Sequence, residues 1–411
     1  MSTALMQPPM VLGWKLPGLG FLLYSAISIA AHLLGARGLL SVGGMLVLLC
    51  VCIAWCRSTM AVRIDKTVEL VLGILLLAIF TTLCNPTYTV FHNLLKHAVV
   101  CMLYVLIFSM GLSPIYSTPF RTVFVLALLF MGAVSLIVPD VSEVDDVMRM
   151  SGFFVNANNL SLTMMTLLFL IDEQRDSRAK KAFFHGVVIL FLVLSGTSGA
   201  ILAYAGAMLF KGLTFLKSVG KPQSKFVVIL MVISLLIMGC LLPARLYMDV
   251  PLAKRLVTQL SLVWQEFPVA ASGHELDYGR LMEVYGTRDC SGIWRIAHWR
   301  ACMDVVASAN PLQLLCGHGI GSSGLLLYKV PHNDYLRVLM EQGILGLALS
   351  LIFILIVFRR IDPRYRYCIV AFALYCFTEN NMDNLLFMCI FTFFLASAQS
   401  RPAESPAAST E

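Results

Sequence analysis

Val330-Pro331-His332-Asn333-Asp334-Tyr335 opens an apolar stretch that carries on to Phe358, and its reading decides the architecture. A run of this length is enough to cross a hydrocarbon layer of about 30 Å as a helix. Pro331 lacks a backbone N–H and suits the approach to a first helical turn. Asn333 and Asp334 are cap-type residues whose side-chain oxygens can accept the orphan amides of that turn. His332 is therefore expected at the open end of a helix, at the membrane surface. The positive end of the helix dipole disfavours imidazolium there, so the sequence predicts a neutral His able to accept a proton near pH 7. The same pattern also fits a His that only closes a helix at the interface.

Working outward, the chain is 59% hydrophobic and 13% charged, with a mean hydropathy of +0.83. Soluble globular proteins carry about a quarter charged residues, so the composition predicts an integral membrane protein. The apolar runs are continuous, not alternating, which selects helices over a barrel. The first run, after Lys15, reads as a retained span with no cleavable signal. The net charge of +7 is no nucleic-acid signature, because the basic residues sit in short loops between apolar runs. Most of the 12 Cys fall in or beside those runs and read as small core hydrophobes. Cys290, Cys302 and Cys316 lie in a polar segment and leave room for one disulfide.

Twelve candidate spans centre near Ala26, Val47, Leu75, Leu106, Leu126, Met165, Ile189, Ala205, Val232, Leu351, Phe372 and Phe391. Eighteen of the 30 Lys and Arg, among them Arg121, Lys181, Lys211 and Arg360, fall on one side of that arrangement. The positive-inside rule makes that side cytoplasmic, with both termini on it. The expected organisation is a transmembrane bundle of about nine spans over 1–242, a periplasmic loop with amphipathic helices over 243–333, about three further spans over 334–400, and a disordered cytoplasmic tail over 401–411. The outward side carries Asp140, Glu143, Asp145, Asp146, Glu379 and Asp383. The long loop adds a cluster of Arg and Lys that suits either a solvated surface or an outward anion site.

Within that loop, Ser291 to Ser308 reads as an amphipathic helix, with Arg295, Trp299, Cys302 and Val306 on one face and His298 beside them. A strip of Arg, His and Trp beside a membrane suits a lipid-attached sugar phosphate, and suits interfacial packing almost as well. Gly317-His318-Gly319-Ile320-Gly321 lacks the Lys-Ser/Thr of a P-loop and reads as a tight turn. His274, Glu275, Cys290, His298, Cys316 and His318 fit no compact zinc spacing, so no metal site is expected.

Four segments carry a family likeness. His332-Asn333, nine residues, then Gly343-Ile344-Leu345-Gly346 is similar to a signature of His with Asn, Ser or Gln, nine residues and a Gly-x-x-Gly close. Arg295 with Trp299, then Pro311-Leu312 and Gly317-His318-Gly319, is similar to an Arg-x-x-x-Trp helix followed by a glycine turn. Arg149 with Ser151-Gly152 and Asn156-Ala157-Asn158-Asn159 is the third, and Leu194-Ser195-Gly196-Thr197-Ser198-Gly199-Ala200 the fourth. Together they make the chain resemble the O-antigen ligase and O-antigen polymerase superfamily, membrane enzymes of bacterial surface polysaccharide assembly. Relatives usually carry an Arg after the Ser or Thr of the fourth segment, where this chain has Ser198 or Gly199.

The resemblance implies an all-α polytopic, GT-C-like fold in the bacterial inner membrane, with the active site facing the periplasm. It implies a metal-independent, inverting glycosyltransferase with no cofactor. The donor is a polysaccharide on undecaprenyl diphosphate; the acceptor is lipid A–core for a ligase, or another lipid-linked repeat for an O-antigen, capsule or exopolysaccharide polymerase. Its partners are those lipids and the bilayer, with no nucleic acid. His332 is then expected as general base. Arg295 first, then Arg149, and with lower weight Arg288, Arg245 and Arg300, are expected to grip the diphosphate, since guanidinium stays charged and binds phosphate through two nitrogens. Asn333, Asp334, Trp299, His298 and Asn156 complete the expected substrate contacts. A secondary transporter is the competing class, but it calls for ionisable residues at mid-membrane, and these spans are nearly charge-free.

Overall fold

The computed structural model describes residues 65–84, 88–109, 119–137, 141–144, 147–150, 157–218, 251–274, 276–286, 289–327 and 329–399, with isolated positions between 23 and 53. The span centres Ala26 and Val232, and the expected site residues Asn156, Arg245 and Arg288, lie outside the described residues.

The described chain is helical apart from one hairpin. Its first part holds α1 (Lys66–Cys84), α2 (Tyr88–Ser109), α3 (Pro119–Ile137), α4 (Ala157–Met165, extended by a 3-10 turn over Thr166–Leu170), α5 (Arg178–Ser195) and α6 (Ser198–Ser218). The polar segment folds into α7 (Pro251–Ser272), α8 (Tyr278–Tyr285), α9 (Ser291–Ala307), α10 (Pro311–Cys316) and α11 (Ser322–Leu326). The chain then continues through α12 (Asp334–Arg360), α13 (Arg366–Thr378) and α14 (Leu385–Gln399). The hairpin pairs β1 (Val141–Val144) with β2 (Val147–Met150), antiparallel, with Arg149 opposite Ser142. The all-α class expected from the sequence holds, with this one short two-stranded ribbon beside the helices.

Lys66–Cys84, Ser198–Phe215 and Asp334–Arg360 are long and apolar enough to cross a membrane, and Asn93–Phe108, Arg121–Ile137 and Ala157–Leu170 are shorter apolar helices. Leu83, Leu126, Phe130, Ile137, Leu202 and Phe215 stand exposed on these helices, as lipid-facing side chains do. The shared core is rich in aromatics: Phe372 stacks on Phe391 with centroids 4.0 Å apart, and Phe169 on Phe394 at 5.0 Å, joining α13, α14 and the 3-10 turn after α4.

Two features set where α12 begins and how it runs. Asn333 caps it, its side-chain oxygen accepting from the amides of Tyr335 (3.0 Å) and Leu336 (3.1 Å). Nine residues on, Gly343 breaks the helix in a left-handed conformation, φ +67°. The carbonyls of Met340 and Glu341, whose helical partners lie beyond the break, accept from the amides of His318 and Gly319 at 2.9 Å each. The Gly317 turn therefore docks backbone-to-backbone on the break. A Cβ at Gly317 would run into the Glu341–Gln342 peptide, and one at Gly343 into Leu315 and Cys316. Buried Arg337 and Glu341 pair at 3.1 Å beside this joint, and Ser323 donates to Glu341 at 2.6 Å.

Gly343→Ala is therefore expected to lower the melting temperature of the purified protein in detergent. The left-handed backbone alone costs about 1–3 kcal/mol for a non-glycine residue, and the steric clash adds to it. An unchanged melt would show that the break does not depend on glycine.

Candidate functional site

Four elements converge on one carboxylate. Glu379 follows the last residue of α13 and is buried, its side chain 7% exposed. One carboxylate oxygen accepts from the Arg295 guanidinium at 2.6 Å and from the Asn158 amide at 2.8 Å. The other lies 2.8 Å from Nδ1 of His332. His332 is 32% exposed at its side chain and so remains reachable. Arg295, from the middle of α9, is 19% exposed, and its Nε is buried with no hydrogen-bond partner among the described residues. His332 and Arg295 thus meet through Glu379, which holds one on each oxygen.

Local sequence explains the convergence. α9 begins at Ser291, as its periodicity predicts, and the predicted face is the one turned to the site. Trp299 packs edge-on against Phe377, centroids 5.3 Å apart, two residues before Glu379. Cys302 is fully buried on the same face, and burial pushes its thiol up to about 12. Trp294 stacks on His298 at 4.7 Å and meets His332 edge-on at 5.5 Å, while Lys329 Nζ lies 5.3 Å from the Trp294 ring. His298 Nε2 is 3.0 Å from the Lys329 carbonyl, so that nitrogen carries the proton and donates. Burial, with His332 and Lys329 nearby, holds the His298 imidazole below its ordinary value.

Asn158 comes from the first turn of α4 and is tied in turn to Thr197, whose hydroxyl lies 3.3 Å from its side-chain oxygen. Gly199 packs so closely on Thr378 that a Cβ there would strike the threonine side chain. Gly199, one of the two positions at which the sequence likeness leads one to expect an Arg, is thus a tight crossing of α6 with α13, and Thr378 directly precedes Glu379. Asp334 is fully buried, and its Oδ2 accepts from the backbone amides of Asn381 (2.7 Å) and Met382 (3.3 Å). Asp334 and Asn333 hold the loop after Glu379 and the start of α12; it is Glu379 that bonds the imidazole.

Arg300 points elsewhere, bonding Asp304 at 2.9 Å and the Ala271 carbonyl at 3.1 Å. Arg149 has its backbone in β2. Glu379, Asn158, Trp294 and Lys329 were not singled out from the sequence. A lone outward Glu carries no motif, although its place 47 residues after His332, between two apolar runs, was visible. Cys290, Cys302 and Cys316 are buried free thiols. Among the described residues, no three of His, Cys, Asp and Glu gather as a metal site.

The fold and site define a helical membrane protein with a charged, partly accessible centre at one end of its bundle. Residues 183–351, from α5 into α12, match the family model for O-antigen ligase, and that match supports the likeness to the O-antigen ligase and polymerase superfamily. That match takes in Arg295 and His332, while Asn158 and Glu379 lie outside it. No curated protein matches the chain. The family implies a glycosyltransferase-like membrane enzyme acting on lipid-linked glycans.

Removing the amide that holds Glu379 tests the geometry without reference to activity. Asn158→Ala is expected to cost about 1–3 kcal/mol, the usual penalty for a buried hydrogen-bonding group left unpaired. Arg300→Ala, at an exposed pair, should cost less than about 1 kcal/mol. Equal melting temperatures for the two variants would contradict the assigned network.

Proposed function

We propose that this protein is an O-antigen ligase-like, inverting glycosyltransferase that moves a glycan from undecaprenyl diphosphate to lipid A–core at the periplasmic face of the inner membrane. The wider architecture that goes with this reading is a GT-C-like bundle of about twelve spans with both termini cytoplasmic. The observation that carries the chemistry is the Glu379 carboxylate, bonded to His332 on one oxygen and to Arg295 on the other.

In the neutral imidazole, Nδ1–H donates to Glu379 and leaves the Nε2 lone pair free. The acceptor hydroxyl attacks the anomeric carbon as Nε2 takes its proton. The anomeric C–O bond breaks, and its electron pair leaves with the lipid diphosphate. Glu379 offsets the positive charge that arises on the ring, as a buried carboxylate does for a catalytic imidazole elsewhere. General-base assistance of this kind contributes on the order of 10²–10⁴-fold. Arg295 spends one nitrogen on Glu379, and its Nε has no partner among the described residues, so the guanidinium keeps donors for a departing diphosphate. Arg149, Arg245 and Arg288 are the further candidates for that charge. Trp294, stacked on His298 beside His332, suits the apolar face of a sugar ring.

A second reading, a polymerase joining lipid-linked repeats, draws support from the fourth segment, where relatives usually carry an Arg and this chain has Ser198 or Gly199; at Gly199 the crossing with Thr378 leaves no room for a side chain. The acceptor decides between the two. Reconstitution with undecaprenyl-diphosphate glycan should give glycosylated lipid A–core on a gel for a ligase. Lengthening of the donor glycan in the absence of lipid A–core would instead identify a polymerase.

In that assay His332→Ala is expected to fold normally and lose transfer by about 10²-fold or more; near-normal activity would remove the base assignment. Arg295→Lys keeps the charge but loses the planar fork, so a large loss is expected, and full activity would place the diphosphate grip elsewhere. Transfer is expected to be unaffected by EDTA; inhibition reversed by added metal would contradict the use of fixed cations alone.

A further inference from the structure

The helix α7 is built inside out for a helix in water. Its inward face carries polar side chains: both ends of the Gln259 amide are used, toward the Asp289 carbonyl and the Gly292 amide. Glu266 on the same face is 8% exposed and takes Arg280 and the Tyr285 hydroxyl. Leu262 and Ala270 join Ile293 of α9 in a small core between them. On the opposite face Val257, Leu260, Trp264 and Phe267 stand in line at helical spacing, and Trp264 is 85% exposed. A solvated helix hides its apolar side chains and shows its charges; this one buries Leu262 and Ala270 but also buries Glu266 and leaves a second apolar stripe exposed.

We infer that α7 is an interfacial helix whose Val257–Leu260–Trp264–Phe267 stripe inserts into the outer surface of the bilayer at headgroup level. Three observations identify the occupant as lipid. Eight residues separate the apolar sequence from Phe226 to Leu242 from Pro251, and eight residues reach about 30 Å at most, so a membrane-embedded 226–242 keeps the start of α7 within that distance of the bilayer. The sequence puts Lys254 and Arg255 within the first five residues of the helix, and their positive charge suits anionic headgroups. Trp is the side chain most suited to the bilayer interface, with an apolar body and one donor.

The consequence reaches the site. α7 packs directly on α9, which carries Arg295. A helix seated in the headgroup layer fixes the depth of that guanidinium at the level where a lipid-borne anion would lie. The inference does not depend on which reaction the site performs.

The test uses the full-length protein in vesicles of phosphatidylethanolamine and phosphatidylglycerol, with and without phospholipid brominated near the top of its acyl chains. The chain has 5 Trp, so the Trp264 signal is taken as wild type minus Trp264→Phe. That difference signal is expected to be quenched by the brominated lipid and to be insensitive to aqueous iodide. Quenching by iodide without quenching by bromolipid overturns the inference and makes the stripe solvent-facing. Protection from both also overturns it, and points to a second copy or another protein over the stripe.

Discussion

A buried carboxylate cannot stay charged without partners, and Glu379 is the place where this protein meets that constraint. Taking such a group out of water costs several kcal/mol, and it sits at the C-terminal end of α13, where the helix dipole adds further negative potential. Arg295, Asn158 and His332 answer that demand from three different elements. The same requirement that stabilises the anion therefore assembles the site.

The geometry around it follows from backbone constraints more than from side-chain packing. The glycine break at Gly343 and the docked Gly317 turn fix the first segment of α12, and Asn333 and Asp334 fix its start. His332, two residues before the helix, has little freedom left. At the opposite end of the bundle a second charged set ties the helices together: Arg121 with Asp176, Glu173 with Lys181 and Lys211, and Arg360 with Asp65. Tyr367 adds a hydroxyl 2.9 Å from Glu173. These basic residues are among those expected from the sequence to face the cytoplasm. The bundle is thus polar at both ends, clamped at one and open to chemistry at the other.

Much of this was legible in the sequence, and the reason differs by element. The face of α9 and the cap of α12 could be read because each rests on local rules of period and capping. Leu75, Leu126, Ala205 and Leu351 fall within helices because long apolar runs have few alternatives in lipid. Glu379 could not be read, since its role depends on residues 84 and 221 positions away, Arg295 and Asn158. Of the three Asn in 156–159, Asn158 bonds Glu379, a distinction that the local pattern does not carry. Gly343 was seen as part of a signature, but that it breaks a helix to receive another loop is a tertiary fact. The hairpin was missed because its apolar alternation spans only four residues a strand.

The most direct test of the central claim is a double-mutant cycle on the glycan-transfer rate in proteoliposomes, built from Glu379→Gln and His332→Ala. If the carboxylate acts through the imidazole, Glu379→Gln costs a large factor in the wild-type background and little further in the His332→Ala background. An equal penalty in both backgrounds would show that Glu379 works independently of His332, and would contradict the coupling on which this account rests.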